Sequence, residues 1–524
     1  MEHAGGQWAG HRSMMPCRSR YGSRTSACDL RLAVLWRGWE GLPDMGQPSR
    51  DYVLVRTAKP ETAADARIGA GLAKGKRDEL LGLLRPCFTR PEPFLQVRKY
   101  LAGLMSDLPV RNGWSIAKFT GDKTPGRTQR LLNHVVWDAS EAMGVVRRFG
   151  ADGLEAAARR RGKRKGKLEI LALDETGQEK KGESTAGVKR QYMGCADGVA
   201  NGISTVHAAW IREGTGQVLA GFRQWIPEEH FKDPVKSLVT ALPLDLRFRT
   251  KGELAIEIVD DAAADGLRPD FVCGDEVHGS CTKLREYLEQ EKQGYVLRVA
   301  KNFRITMGDG TVLACEGAVK KLLKGERCWE IRSAGKGSKG GRWYARAWIG
   351  TASPRRSLLI RRHLRTGELA FHYCYVPEEQ VCAKARLVRA AGLRWPAGEE
   401  SEFGKGQFGL DQSQVRLFHA IARRTVLACA ALAVCAVTAA LLRDRTNTQA
   451  APPVRPDQSP PADPGRIPLT VPQVRGLLAA ATAPSRPPAH TEHSDEWTRR
   501  HQARARWFHK RTRLGRDATI SLVS

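Results

Sequence analysis

Leu and Val recur at three- and four-residue spacing between about residues 75 and 160, in KRDELLGLLRPCF, FLQVRKYLAGLMSDL and TQRLLNHVVWDASEAMGVVRRF. That period keeps apolar side chains on one stripe of an α-helix. It predicts a helical domain over 71–165 that ends in the basic run RRRGKRKGK, Arg159 to Lys167. Such a run is either a solvated linker or a phosphate contact. Residues 1–70 are rich in Gly, Arg and Ser without a sustained period, and read as a disordered or spurious N-terminal extension.

The period changes after residue 165. LEILALDETG is a short apolar run closed by an acid, which suits a buried strand presenting Asp174 at its C-terminal end. STVHAAWIR and GQVLAGFRQWI follow as two strands of a meander, and TKGELAIEIVDDAAADG as an amphipathic helix. DFVCGDEVHG repeats the strand-then-acid pattern at Asp275; CTKLREYLEQEKQG is a helix and YVLRVAKNF another strand. These pieces predict the first part of a mixed α/β core over 166–301, and RCWEIRSAG, RWYARAWIG, RSLLIRRHL and ELAFHYCYV make 302–380 a β-rich insertion. The core resumes over 381–445 with a helix carrying RWPAGEESEFGKG and then the apolar segment TVLACAALAVCAVTAALL, Thr425 to Leu442. This segment has the length of a short membrane span, but its Ala and Cys, in place of Leu and Phe, suit a buried core helix, so no membrane partner is expected. Residues 446–524 combine a Pro-rich linker with a basic, aromatic-spotted helix, EWTRRHQARARWFHKRTRL.

Charge narrows the partner. Lys and Arg number 85 against 56 Asp and Glu, an excess of 85 − 56 = 29. That balance points to a polyanion, nucleic acid before an anionic membrane surface. The 12 Cys stand without a CxxC pair, which leaves neither a zinc ribbon nor a disulfide framework to read, and reduced thiols of a cytoplasmic protein are expected. No apolar leader segment follows the N-terminus, so secretion is not expected. GKGSKGG, Gly335 to Gly341, lacks the spacing of a phosphate-binding loop and reads as a basic β-turn. His207, His230 and His372 show no ligand spacing and are expected in structural roles, with Trp210 and Trp225 in the core.

Two strands that each end in a carboxylate, followed by a helix with Glu399, Glu400 and Glu402, suggest an acidic triad. In-line displacement at a phosphodiester is served by two divalent cations about 3.5–4 Å apart. Mg²⁺ takes a few carboxylate oxygens together with water and substrate phosphate. Taken singly, an Asp at a strand end is as readily a turn former or helix cap, and a Glu cluster as readily a solvated patch.

The segment LDETGQEKKGESTAGVKRQYMG, Leu173 to Gly194, resembles a DDE transposase of the insertion-sequence-701 type, related to the four-type insertion sequences. Asp174-Glu175-Thr176-Gly177, Lys180-Lys181-Gly182, Thr185-Ala186-Gly187-Val188 and Arg190-Gln191-Tyr192 carry it. NGWSIAKFTGDKTPGRTQRLLNHVVWDA upstream, and FRTKGEL, CGDEVHG, GGRWYARAWIG, RWPAGEESEFGKGQFGLDQSQVR, IPLTVPQVRGLL and RRHQARARWFHKR downstream, extend it collinearly from residue 112 to 511. The resemblance implies an α/β, RNase H-like mixed-sheet core with a β-rich insertion, a preceding helical DNA-binding domain and a basic helical tail. It implies that Asp174 and Asp275 are the first two catalytic, metal-binding acids, working with Mg²⁺ or Mn²⁺. Lys180, Lys181, Arg190, Arg394 and Lys405 become candidate DNA contacts; Arg394 and Lys405, eleven residues apart, share a helix face. The implied activity is cleavage of transposon-end phosphodiesters and strand transfer into target DNA, by a homodimer in the synaptic complex, in the bacterial cytosol or nucleoid.

Two departures stand out. His278 replaces an aromatic residue, and a neutral imidazole there retains the ability to stack or hydrogen-bond. Relatives read Arg-Trp-x-x-Glu-Glu, and counting forward from Arg394 or back from Lys405 puts the third acid at Gly398. Ala391 likewise stands where the wider signature starts with Tyr. Either a local shift makes Glu399 the third catalytic and metal-binding residue, which requires distortion because adjacent helical positions turn by about 100°, or the acid is lost. The first is the expectation, with Glu400 an outsider; the second leaves a catalytically inactive DNA-binding protein derived from a transposase.

Overall fold

The apolar stripes of the N-terminal part form helices: α1 (Pro60–Leu84), which begins inside the stretch to residue 70 expected to be disordered, and, as their spacing predicts, α2 (Pro91–Leu104), α3 (Gly113–Phe119), α4 (Gly126–Asn133) and α5 (Ala139–Arg160). Side chains set their starts. Asn112 and Ser115 close a capping box on α3, and Asp138 accepts from the backbone N–H groups of Ser140 and Glu141 on α5. The structure, a computed structural model, describes residues 60–162, 167–337, 340–380, 382–448 and 465–482. The expected N-terminal extension as far as residue 59, the middle of the basic run, most of the Pro-rich linker and the basic C-terminal helix lie outside the described residues.

Twelve strands follow among the described residues. They are β1 (Glu169–Glu179), β2 (Lys189–Met193), β3 (Gly198–Arg212), β4 (Gly216–Trp225), β5 (Phe271–Gly274), β6 (Tyr295–Val299), the small hairpin β7 (Arg304–Thr306) and β8 (Val312–Ala314), then β9 (Glu330–Gly337), β10 (Gly340–Gly350), β11 (Arg356–Arg362) and β12 (Leu369–Tyr375). Ten of them make one sheet of order β2-β3-β1-β5-β6-β12-β11-β10-β9, with β4 also on β3. Within it, β1, β3 and β4 form the expected antiparallel meander, while β5 pairs parallel with β1, and β6 parallel with β5. The run β4-β3-β1-β5-β6 is the strand order and sense of an RNase H-like core. Rather than forming a separate layer, strands β9 to β12 of the inserted segment lengthen this sheet, because β12 pairs antiparallel with the exposed edge of β6.

Both faces are covered by helices. α6 (Lys251–Ala264), opened by a Thr250–Glu253 capping box, lies on the face of Glu175, whose carboxylate pairs with Lys251. After β5 come the short α7 (Glu276–Ser280) and α8 (Thr282–Gln290), and after the hairpin α9 (Cys315–Leu322). On the face opposite α6 lie α10 (Lys384–Leu393), α11 (Trp395–Phe408) and α12 (Phe418–Thr446); α13 (Val471–Thr482) packs on α12. The described residues from Glu61 onward form one compact unit, and a continuous core joins Leu80 and Leu84 of α1, Val146 of α5, Leu171 of β1 and Leu432 of α12.

α12 is a core helix. By length and composition it would also pass for a membrane span, but 89% of its most apolar 18-residue window is buried inside the protein. Its flanking charges are consumed internally: Arg423 donates to the Leu132 carbonyl at 3.0 Å and Arg424 to that of Gly409 at 2.7 Å. Buried guanidinium groups here satisfy carbonyls at helix ends.

A buried ion pair ties the N-terminal helices to the sheet. Arg147 of α5 pairs with Asp265 just after α6 at 2.6 Å and donates to the Ala220 carbonyl of β4 at 3.0 Å. Breaking a buried pair from one side costs about 3–5 kcal/mol. Arg147→Ala is expected near the low end, about 3 kcal/mol, because Arg148 still pairs with Asp265. The shift in urea midpoint measures it.

Candidate active site

The sheet brings the first two predicted acids side by side. β1 and β5 are parallel, with Ala172 opposite Cys273. Continuing that register two residues sets Asp174 opposite Asp275, on strands about 4.8 Å apart. Asp275 follows the C-terminal end of β5, but Asp174, expected at a strand end, lies within β1, which continues along β3 to Glu179. The parallel pairing stops at Ala172 and Cys273, before both acids, and leaves room for a ligand there.

Asp275 is held by its own loop. It is the N-cap of α7, and its Oδ1 accepts from the N–H groups of Val277 at 3.1 Å and His278 at 3.2 Å and lies 2.7 Å from His278 Nδ1. All three contacts fall on Oδ1; Oδ2 has no partner among the described residues. Burial acts upward on this carboxyl, but the hydrogen bond and charge of His278 outweigh it and hold the group down to about 2. His278 thus replaces the expected aromatic residue with a hydrogen bond to the acid. Burial pushes the Asp174 carboxyl above its ordinary value; Arg394 pulls against this, and the Asp275 carboxylate adds to it. One acid is therefore firmly ionised while its neighbour carries charge at a cost.

Gly279 sets the depth of this loop. A Cβ built there would stand 1.8 Å from the Arg298 carbonyl oxygen of β6, a backbone atom that cannot swing aside. Gly279→Ala is expected to destabilise by about 3 kcal/mol, the upper end of the usual overpacking cost, read as a lower thermal midpoint.

Position 398 faces the acid pair. A Cβ on Gly398 would lie 3.8 Å from Asp174 Oδ2, ordinary van der Waals contact. α11 runs as an unbroken α-helix from Trp395 to Phe408, without the local distortion expected near its start. The side chains of Glu399 and Glu400 lie outside the described residues, and Glu402 is exposed. Among the described residues, no group of three His, Cys, Asp or Glu side chains gathers as a metal site.

The other expected residues divide. Arg394, between α10 and α11, lies close enough to act on both Asp174 and Asp275, and Lys405 further along α11 acts on His207, the register partner of Asp174. Burial, then Lys405, hold the His207 imidazole down to about 3, a neutral core histidine. Lys180 turns inward: Nζ donates to the Ser413 carbonyl at 2.6 Å, and burial lowers its ammonium to about 8, with Arg424 adding to the shift. Lys181 and Arg190 are exposed, Arg190 on β2 opposite Asn201. Trp210 is buried as expected, and Trp225 is half-buried beneath Lys251.

Residues 83–314 match the family model of the DDE superfamily endonucleases. A curated relative from Microchaete diplosiphon, a probable transposase for insertion sequence element IS701, is 29% identical over 206 residues. Over residues 83–314 the chain is similar to the DDE superfamily endonucleases. The match to the curated relative covers 39% of this chain and 48% of that protein, so it spans about half of the relative's length. A solved piggyBac transposase synaptic complex with hairpin DNA aligns at 10% identity over 78% of this chain and 76% of that one. Its TM-score of 0.36 is too low to bear on the fold. DDE endonucleases generally work with divalent metal ions, and the matched span holds both Asp174 and Asp275 but ends well before α11.

One group of residues was not expected from the sequence. Arg298, Arg346, Arg361 and His372 stand together on the sheet face of Asp174. The alternation in YVLRV and RWYARAW hints that Arg298 and Arg346 share a strand face with their neighbours at i±2, but only cross-strand register brings them together.

Proposed function

We propose that this protein cleaves phosphodiester bonds at transposon ends with a divalent metal, Mg²⁺ or Mn²⁺, held by Asp174 and Asp275, and joins the freed 3′ end to target DNA. One observation carries the reading: two carboxylates lie side by side just past the paired part of neighbouring parallel strands, inside the span that matches the DDE endonucleases. The donors suit a hard cation. Asp275 keeps Oδ2 free while its loop fixes Oδ1, and Asp174 carries a buried charge, raised further by its neighbour, that a cation relieves. Bound there, a divalent ion activates water and neutralises charge on the reacting phosphate.

The chain's own groups do the rest. His278 orients Asp275, while Arg394 and Lys405 offer cations for phosphates from the helix above. Glu399 is the proposed third ligand from α11. Lys181 and Arg190 are proposed as outer phosphate contacts; Lys180 contributes by bracing the 413 loop. The helices before the sheet and the basic C-terminal segment are proposed for end recognition, a homodimer for pairing two ends, and the cytosol or nucleoid for location.

A second reading is favoured by Gly398: a protein that binds transposon ends without cutting them. A plasmid excision assay comparing wild type, Asp174→Asn and Glu399→Gln tests both. Metal-dependent excision by the wild type, lost in both variants, is the expected result. Intact end binding without any metal-dependent cutting by the wild type overturns the first reading in favour of the second.

A further inference from the structure

Between β4 and α6 the chain folds a short helix, Pro234–Val239, whose faces are reversed. Val235, Leu238 and Val239, spaced i, i+3 and i+4, form one apolar stripe, and all three are exposed. The polar residues turn inward: Thr240 is fully buried, and the Ser237 hydroxyl donates to the His230 carbonyl at 2.6 Å. A surface helix normally buries its apolar stripe. Two more apolar side chains follow before α6, Leu244, which is 98% exposed, and Phe248. The exposure does not come from a loose segment. Asp233 caps the helix by accepting from the Lys236 N–H at 2.9 Å, and the Phe418 N–H of α12 donates to the Thr240 carbonyl at 2.9 Å. Leu242 sits beneath in a small core with Val188, Ile203, Ile226 and Ile421.

Charge and area indicate what covers this patch. Residues 228–250 hold four acids (Glu228, Glu229, Asp233, Asp245) and four basic residues (Lys232, Lys236, Arg247, Arg249), a balance of 4 − 4 = 0 on a chain with an excess of 29. DNA gains little from a neutral, apolar surface. The basic C-terminal segment would bring its arginines against Arg247 and Arg249. Two copies of so cationic a chain repel each other, and a locally neutral, apolar surface is where that repulsion is least. The patch also complements itself. Asp245 and Arg247 are both exposed two residues apart, and Arg247 donates to the Leu244 and Leu246 carbonyls of its own turn. A two-fold axis sets each of the two against the other on the facing copy. The five apolar side chains expose on the order of 500 Å², the size at which a patch marks an interaction site. A standard interface takes about 800 Å² from each partner, a little over half of it apolar, and the patch supplies that share.

We propose that the Pro234–Val239 stripe, with Leu244 and Phe248, is the contact through which two copies of this chain pair about a two-fold axis. The two stripes pack against each other, and Asp245 of one copy faces Arg247 of the other. The contact leads to the acids. The segment runs into Lys251, the first residue of α6, which pairs with Glu175, the neighbour of Asp174 in β1. The interface belongs to the proposed homodimer, and its use in pairing two DNA ends rests on the cleavage reading.

The test is the mass of the full chain in solution, by sedimentation velocity over a concentration series, alone and with a labelled transposon-end duplex. A dimer is expected for the wild type. Leu238→Glu and Leu244→Glu are each expected to raise its dissociation constant at least about thirtyfold, the level that marks a hot spot. The melting temperature of the dilute monomer is expected to stay unchanged in both, because both side chains are exposed. Asp245→Arg and Arg247→Asp are each expected to weaken the dimer at least about tenfold, and the double exchange to restore it. Residues serving only their own turn give no such recovery. A wild type that stays monomeric alone and on DNA overturns the interface. So does a dimer that all four single variants leave intact. A monomer that dimerises through the patch only after residues 483–524 are removed assigns the cover to that segment, and overturns it too. A patch-dependent dimer that fails to cut with Mg²⁺ keeps the interface and removes only the cleavage reading; cutting by a protein that never dimerises does the reverse.

Discussion

Gly398→Glu is expected to raise metal-dependent cleavage by about 10–100-fold over the wild type, on the scale that even residues supporting a metal's ligands command. The reason is geometric. A Cβ at 398 meets Asp174 Oδ2 at 3.8 Å without a clash, so a glutamate there directs its carboxylate toward the two acids without moving the backbone. Glu399 starts one helical position away, about 100° around an axis that runs unbroken through this segment. The measurement is the rate of nicking at a transposon end in Mg²⁺, with Gly398→Glu/Glu399→Gln as the companion variant. The companion is expected to retain the gain. If Gly398→Glu cuts no faster and Glu399→Gln abolishes wild-type cutting, Glu399 is the third ligand and position 398 is silent.

Asp174→Asn should abolish cleavage, by about 10³-fold or more, since charge stabilisation by a catalytic metal amounts to several kcal/mol and each 1.36 kcal/mol is tenfold in rate. Its folding should not suffer. The amide keeps the shape of the carboxylate and removes a part-buried charge beside Asp275, so the melting temperature is expected to hold or rise. Affinity for end DNA should be unchanged or higher, because a negative charge leaves the site. A fall in melting temperature together with weaker DNA binding would make Asp174 a structural residue and sink its catalytic assignment.

The acids at 174 and 275 were legible because a buried strand writes itself as a short apolar run and each run stops at an acid, although only at Asp275 does the chain leave the sheet, β1 continuing to Glu179. The arginine face was not legible. Its members come from β6, β10, β11 and β12, and Arg298 and Arg346 meet only through register set by pairing across strands far apart in the chain. Lys180 shows the same limit: a lysine expected to contact DNA donates instead to the carbonyl of Ser413, 233 residues away.

By itself, the sequence determined the helices and strands, the burial of the 425–442 segment and the two acids that close apolar runs, because period, caps and apolar content act locally. Tertiary structure decided that the inserted strands extend the central sheet, that His278 fixes Asp275 by a hydrogen bond, and that a Cβ at position 398 would meet Asp174. The last of these depends on the phase of a helix against a sheet. A residue count gives position along a helix, whereas facing is set by how the helix packs.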